Sequence, residues 1–243
     1  MGDLPFGPIA DQYDRHRPAP PEGLLDDLER LGPEVLDVGC GTGKATVALA
    51  ERGLTVLGLE PDPQMAAVAR GHGVTVEIGA FETWDARDRR FDLLIFADSW
   101  HFVDPVVAVR RATELLRPGG TVARIWNSYL LEPPAIAALD PVYRRHAPEI
   151  AQSWRPAAAW TPVRPDDDPL VQGGFMPLRM RTYRSSVLRT ADEWIAITAT
   201  TSGHLRLGDR LAPLMSEVRA AIEGIGGALR VHRTTFLVRS RLG

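Results

Sequence analysis

The sequence contains one cysteine and one lysine among its 243 residues. A single thiol, that of Cys40, cannot form an internal disulfide or a multi-cysteine metal site, so no metal is expected. Because Lys44 is the only lysine, nearly all positive charges are arginines, and these are dispersed along the chain. The net charge of −3 and the lack of a basic run argue against nucleic acid as a partner.

Long apolar segments are missing as well. No run approaches the roughly 20 residues that cross a bilayer, so no membrane partner is expected. Residues 1–18 lack the charged start and apolar block of a secretory signal. A myristoylation signal requires Gly at position 2 and Ser or Thr at position 6. Gly2 is present, but position 6 is Phe6. The sequence therefore predicts a cytoplasmic protein, and we expect either a monomer or a homodimer.

Residues 35–126 alternate apolar runs with helical patterns. Because the apolar runs are nearly continuous, they are typical of parallel strands buried on both faces. Such repeated strand–helix units predict an α/β fold with a Rossmann-like, doubly wound sheet. The predicted strands are 35–38, 55–60, 74–78, 91–97 and 121–126, and the predicted helices are 44–52, 63–71 and 104–116.

The flanking regions have different patterns. Leu24, Leu28 and Leu31 share one helical stripe, which predicts a helix that covers the sheet. Two long strands are predicted at 177–189 and 228–242, with helices near 190–200 and 209–223 between them. The resulting sheet has seven strands, mostly parallel, with an antiparallel C-terminal strand. We expect one domain over 1–243, divided into a helical cap at 1–33, a cofactor-binding core at 34–127, a proline-rich helical lid at 128–177 and a C-terminal region at 178–243.

The segment "VLDVGCGTG" places three glycines directly after the first predicted strand. Glycine allows a backbone to approach a ligand closely, because it has no Cβ. A phosphate-binding P-loop needs four residues between its glycines and Ser or Thr after the lysine. Here three residues separate Gly39 from Gly43, and Ala45 follows Lys44. A dinucleotide site needs its third glycine where Lys44 stands, so that motif also fits poorly.

The same segment resembles the first motif of class I S-adenosylmethionine-dependent methyltransferases. "IADQYDRHRP" (9–18), "FETWDARDRRFDLLIFADSWHFVDP" (81–105) and "RVHRTTFLVRSRL" (230–242) resemble the group that is similar to trans-aconitate methyltransferase. This resemblance implies S-adenosylmethionine as cofactor and a small-molecule acceptor with an O, N or C nucleophile. The alternatives are an NAD-dependent oxidoreductase and a non-catalytic S-adenosylmethionine-binding protein.

Candidate site residues follow from these motifs. Glu60 ends the second strand, where a carboxylate can accept hydrogen bonds from both ribose hydroxyls. His101 follows the fourth strand and is the candidate base for an OH or NH acceptor. Lys44 is interpreted as a solvated residue of the first helical turn. The predicted cofactor-binding residues are Tyr13, Arg17, Asp37, Gly39, Gly41, Glu60, Pro61, Ala80, Phe81 and Ala97, and the predicted substrate-binding residues are Trp100, Asn127 and His204.

Overall fold

A computed structural model of the protein describes residues 6–150 and 167–243. Within them, seven strands form one sheet in the order β3-β2-β1-β4-β5-β7-β6. β7 is antiparallel to both β5 and β6, whereas β1 to β5 pair in parallel. The predicted fold class is thereby confirmed. The strands are β1 (Glu34–Val38), β2 (Thr55–Glu60), β3 (Thr75–Ile78), β4 (Phe91–Ala97), β5 (Leu116–Leu131), β6 (Arg179–Thr190) and β7 (Ala228–Arg241).

Helices connect and cover these strands. Asp62 and Asp104 each accept two backbone N–H groups at the start of a helix, and each is followed by a proline at the first helical position. These caps explain why α4 and α5 begin where the sequence predicts. The α-helices are α1 (Ala10–His16), α2 (Glu22–Glu29), α3 (Lys44–Ala50), α4 (Pro63–Gly71), α5 (Pro105–Leu115), α6 (Pro133–His146), α7 (Pro169–Gln172), α8 (Ala191–Thr198), α9 (Ser202–Leu205) and α10 (Leu211–Glu223).

β5 is much longer than the run 121–126 that the sequence predicts. It begins at Leu116 and continues to Leu131, because its last residues pair with the first half of β7, as Leu130 does with His232. The first residues of the predicted lid therefore belong to the sheet, and α6 follows them. Residues 151–166 of the predicted lid lie outside the described residues.

Buried side chains fill both faces of the sheet. In β4, Leu94 and Phe96 pack in one core with α5, while Leu93 and Ile95 pack in another with α2 and α3. Neighbouring strand residues point to opposite faces, so a strand covered on both sides must be apolar throughout. This explains the continuous apolar run at 93–97.

A third core lies at the carboxyl end of β5. It joins α6, α8 and α10 through Leu139, Trp194 and Leu214, and Leu131 and Val231 of the sheet pack into it. The helices that follow the parallel strands thus stand beside the edge where open α/β sheets bind ligands. Among the described residues, every helix is too short or too polar to cross a bilayer.

Candidate functional site

A cavity of about 600 Å³ opens at the carboxyl ends of the parallel strands. The ends of β1, β2, β4 and β5 form one side, and α1, α8 and α9 form the other. The fold thus brings together residues that are far apart in the sequence. Of the predicted site residues, those that line the cavity are Tyr13, Arg17, Gly39, Gly41, Glu60, Pro61, Ala80, Phe81, Ala97, His101, Asn127 and His204.

The glycine loop after β1 has a backbone that favours glycine. Gly39 and Gly41 have φ angles of +67° and +58°, in the left-handed region. A Cβ at Gly39 would lie 2.7 Å from the Cβ of Ser99. The N–H of Gly41 donates to Glu60 Oε2 at 2.8 Å, which fixes the loop against the end of β2. The loop therefore presents bare backbone to the cavity.

Glu60 is held by two backbone donors and is only 5 % exposed. Its Oε2 accepts from Gly41, and its Oε1 accepts from the N–H of Asp62 at 3.0 Å. Burial raises the pKa of Glu60, and these two hydrogen bonds oppose that effect. Each carboxylate oxygen can accept a second hydrogen bond. Glu60 is therefore fixed in place and still able to receive two donors from a ligand.

Asp37 lies beneath the glycine loop, where it lines an adjoining cavity of about 90 Å³. It is fully buried, and the Thr46 hydroxyl donates to its Oδ2 at 2.7 Å. Its Oδ1 is buried without a partner among the described residues. Burial raises the pKa of Asp37 to about 7; the Thr46 hydrogen bond opposes this shift, and the charge of Glu60 adds to it. Asp37 is thus a second acidic group close to the loop.

Trp100 is placed differently from the substrate contact that the sequence predicts. Its ring meets Phe96 edge-on with 4.9 Å between centroids, and the Arg124 guanidinium lies 4.9 Å from the ring centroid. Arg124 Nη2 donates to Asp168 Oδ2 at 2.6 Å, and both side chains are buried. Trp100 is not among the described residues that line the cavity. Its packing instead supports the turn that carries His101.

Asp98 and Thr235 join Asn127 in a hydrogen-bonded chain that the candidate residues did not include. The Asn127 amide donates to Asp98 Oδ2 at 3.1 Å and accepts from the Thr235 hydroxyl at 2.7 Å. Asp98 has a φ of +55°, and burial raises its pKa. Its position between Ala97 and His101 is the signal by which the sequence could have indicated this residue.

The two predicted histidines differ in their surroundings. His101 is exposed at the cavity, and partial burial lowers its pKa although the charge of Asp98 opposes that shift. His204 is buried, with Nδ1 at 2.6 Å from the Thr201 hydroxyl and Nε2 at 2.9 Å from the Tyr143 hydroxyl. Burial lowers the pKa of His204 to about 4. His204 is therefore uncharged near neutral pH, and both of its ring nitrogens have hydrogen-bond partners. His101, in contrast, is available to accept a proton.

α1 lies across the cavity and is attached on both sides. Arg17 Nη2 donates to the Thr200 carbonyl at 3.1 Å, and its guanidinium lies 4.9 Å from the Tyr13 ring centroid. Lys44 Nζ lies 3.5 Å from Asp14 Oδ1, and the lysine side chain is 32 % exposed. Lys44 is the first residue of α3, as the sequence predicts, and its partly exposed side chain also pairs with α1.

Residues 36–123 match a family model described as a methyltransferase domain. The chain contains a class I methyltransferase domain. The matched domain indicates S-adenosylmethionine as the cofactor. An uncharacterized methyltransferase of Mycobacterium tuberculosis is 38% identical over 128 residues, with 51% of this chain and 53% of the relative covered. A ubiquinone biosynthesis O-methyltransferase of Pseudomonas fluorescens is 36% identical over 107 residues, with 40% and 46% covered.

The chain spans about half the length of these curated relatives. Among solved structures, a candidate type II methyltransferase of Anaeromyxobacter dehalogenans gives a TM-score of 0.63 at 24% identity, with 93% of this chain and 97% of that chain covered. A phosphoethanolamine N-methyltransferase of Haemonchus contortus gives 0.55 at 17% identity, with 98% and 58% covered. These likenesses concern the fold. The class I assignment of the domain is confirmed, and the likeness to trans-aconitate methyltransferase stays a prediction.

Proposed function

We propose that this protein transfers the methyl group of S-adenosylmethionine to a small-molecule acceptor. The observation that supports this most directly is one cavity that joins the glycine loop and Glu60 to His101 and to the helices α8 and α9. The methyltransferase domain at residues 36–123 supplies most of the cavity lining around the glycine loop and Glu60. The region after β5 supplies much of the lining near α8 and α9, where an acceptor would lie.

The residues of the first part fit this cofactor. Glu60 has two free acceptor positions for the ribose hydroxyls, and the bare loop at Gly39 and Gly41 leaves room for close approach. Asp37 Oδ1 is a buried acceptor without a partner, at the smaller cavity that the loop also lines. Phe81 and the main chain around Ala80 would hold the adenine, and Tyr13 and Arg17 would cover the ligand.

S-adenosylmethionine supplies an activated methyl group when it is bound. The protein then has to hold an acceptor in line and exclude water, and such positioning contributes about 7–11 kcal/mol to barrier lowering. Neutral His101 would take the proton of an OH or NH acceptor on an imidazole nitrogen, and Asp98 would stabilise the imidazolium that forms. α1 and its contacts with Thr200 and Lys44 would keep water out.

Binding and turnover test this proposal together. S-adenosylhomocysteine should raise the melting temperature of the purified protein, whereas NAD should leave it unchanged. Labelled methyl groups should then pass from S-adenosylmethionine into members of a panel of small acids, phenols and amines. Stabilisation by NAD alone would contradict the proposal. Binding of S-adenosylhomocysteine without transfer to any acceptor would favour the non-catalytic binding protein.

Replacing Glu60 by Ala should weaken S-adenosylhomocysteine binding. A hydrogen bond to a charged group contributes about 1.5–3 kcal/mol, so we expect a loss of roughly 10- to 150-fold in the dissociation constant measured by calorimetry. Glu60→Gln keeps an acceptor oxygen and should show a smaller loss. Unchanged affinity in the alanine variant would remove the ribose role from Glu60.

Replacing His101 by Ala should slow methyl transfer to an OH or NH acceptor. General base catalysis contributes about 10²- to 10⁴-fold, so a loss in that range is expected in kcat. Because the pKa of His101 is lowered, the wild-type rate should stay constant from neutral pH downward until His101 is protonated. The variant should lack that acidic limb and keep its affinity for S-adenosylhomocysteine. A normal rate and an unchanged pH profile would assign His101 a structural role.

A further inference from the structure

The cavity has a second side, which we call the acceptor wall. It is formed by β5, the turn after α6, α8 and the segment that leads into α9, outside the matched domain. Because this wall differs from the part that holds the cofactor, its chemistry decides which acceptor can bind. Its described members are Tyr129, Ile150, Trp194, Thr198, Thr201 and His204.

Most polar groups of the acceptor wall already have partners within the protein. The Thr198 hydroxyl donates to the Trp194 carbonyl at 2.8 Å. The Thr201 hydroxyl donates to the Thr198 carbonyl at 3.0 Å and contacts His204 Nδ1. His204 Nε2 is bonded to Tyr143. Ser202, at the start of α9, adds a further uncharged hydroxyl. These groups shape the wall and leave few donors for a highly polar acceptor.

Trp194 is one exception, and the Tyr129 hydroxyl is another. The ring of Trp194 is 3 % exposed, it lines the cavity, and its indole Nε1 is buried without a partner among the described residues. Buried polar groups in native proteins are almost always hydrogen-bonded, so an unpartnered one calls for an explanation. An oxygen of the bound acceptor would satisfy this N–H, as buried indole N–H groups usually find a hydrogen-bond acceptor.

The charges around the cavity disfavour an anionic acceptor. Among the described lining residues, Arg17 is the one permanent cation. Arg17 lines both cavities and donates to the Thr200 carbonyl, so it lies between the cofactor side and the acceptor wall. His204 is uncharged near neutral pH, since its pKa is about 4. Among the described lining residues, Arg17 is outnumbered by the carboxyl groups of Glu60, Asp62, Glu82 and Asp98, so a further carboxylate in this cavity is unfavourable.

We propose that the acceptor is an uncharged compound that places an oxygen on the indole N–H of Trp194. This inference rests on the proposed function and adds the substrate class. Its reacting hydroxyl would face His101, and its second oxygen would face the acceptor wall. A tricarboxylate of the kind implied by trans-aconitate methyltransferase would not fit this wall.

Four para-substituted phenols test the inference in the protein loaded with S-adenosylhomocysteine. Calorimetry at neutral pH should give the tightest binding for para-hydroxyacetophenone, which is neutral and has a second oxygen. It should exceed para-ethylphenol by roughly 3- to 10-fold, the size of one neutral hydrogen bond. The anionic para-hydroxybenzoate should bind at least about tenfold more weakly, because carboxyl groups already outnumber Arg17 in the cavity. Para-hydroxybenzylamine should also bind more weakly than para-hydroxyacetophenone, because an ammonium group cannot accept the indole N–H.

Trp194→Phe keeps an aromatic ring and removes the N–H donor. It should abolish the preference for para-hydroxyacetophenone over para-ethylphenol, so that the two compounds bind to the variant with similar affinities. Preferred binding of either charged compound, or no binding of the neutral pair to loaded wild-type protein, would overturn the inference. Failure to bind S-adenosylhomocysteine would instead contradict the proposed function. The wild-type comparison holds even if the variant does not fold.

Discussion

Asp168→Asn is expected to lower the free energy of unfolding by about 3–5 kcal/mol, because it leaves Arg124 as an uncompensated buried charge. The two side chains are joined at 2.6 Å, and Asp168 is fully buried. Asparagine can still accept the N–H of Leu170, which Asp168 accepts at the start of α7, so the change isolates the charge. Urea denaturation at neutral pH measures the loss.

Asp167→Asn is the matched control, since Asp167 is the exposed neighbour of Asp168. It should leave the free energy of unfolding nearly unchanged. A D168N variant as stable as this control would show that the pair contributes little. If the pair also holds the turn through Trp100, D168N should reduce kcat more than it weakens S-adenosylhomocysteine binding, because His101 is the next residue in that turn.

The second large effect is a pH dependence of stability caused by Asp37. Its pKa is about 7 in the folded protein and 3.8 in its ordinary state. Between these values the unfolded chain has released the proton while the folded protein keeps it, so stability falls as pH rises. The slope is about 1.4 kcal/mol per pH unit for a single group, and the loss is complete above a pH of about 7.

Asp37→Asn should remove this dependence, since the amide can still accept the Thr46 hydroxyl and does not ionise. The stability of the variant relative to the wild type should therefore increase between pH 4 and pH 7 and stay level above. Denaturation in urea across this range measures the difference, with exposed Asp88→Asn as the control for loss of one carboxylate. A difference that does not change with pH would show that Asp37 ionises normally in the folded protein.

The parts of the fold that the sequence predicts are those with local causes. The run at 93–97 is apolar at every position because Leu93 and Leu94 face different cores. Asp104 followed by Pro105 marks the start of α5 through a cap that involves only nearby backbone. The glycine loop can be predicted from the sequence for the same reason, because its exposed backbone depends on the glycines of the loop itself.

The features that escaped prediction depend on distant partners. β5 continues through polar residues such as Asn127 because β7 pairs with it more than a hundred residues later. Trp100 is packed by Arg124, a charged residue that pattern alone assigns to the surface. His204 Nε2 is occupied because the hydroxyl of Tyr143, 61 positions away, is hydrogen-bonded to it. No local periodicity reports these contacts, so the candidate site was recognisable in outline while the acceptor wall was not.

β6 is an edge strand of the sheet. The backbone hydrogen-bonding groups on its outer side have no neighbouring strand among the described residues. Another chain can pair with such an edge strand, and natural proteins often prevent this with charged side chains. β6 contains four arginines and no acidic residue in its twelve positions. Arg181 and Arg189 are paired with Asp27 and Glu193, and a second copy aligned along this edge would still bring Arg179 and Arg184 close to arginines of its partner. Like-charge repulsion therefore protects the protein from edge-to-edge aggregation and directs any self-association to another surface.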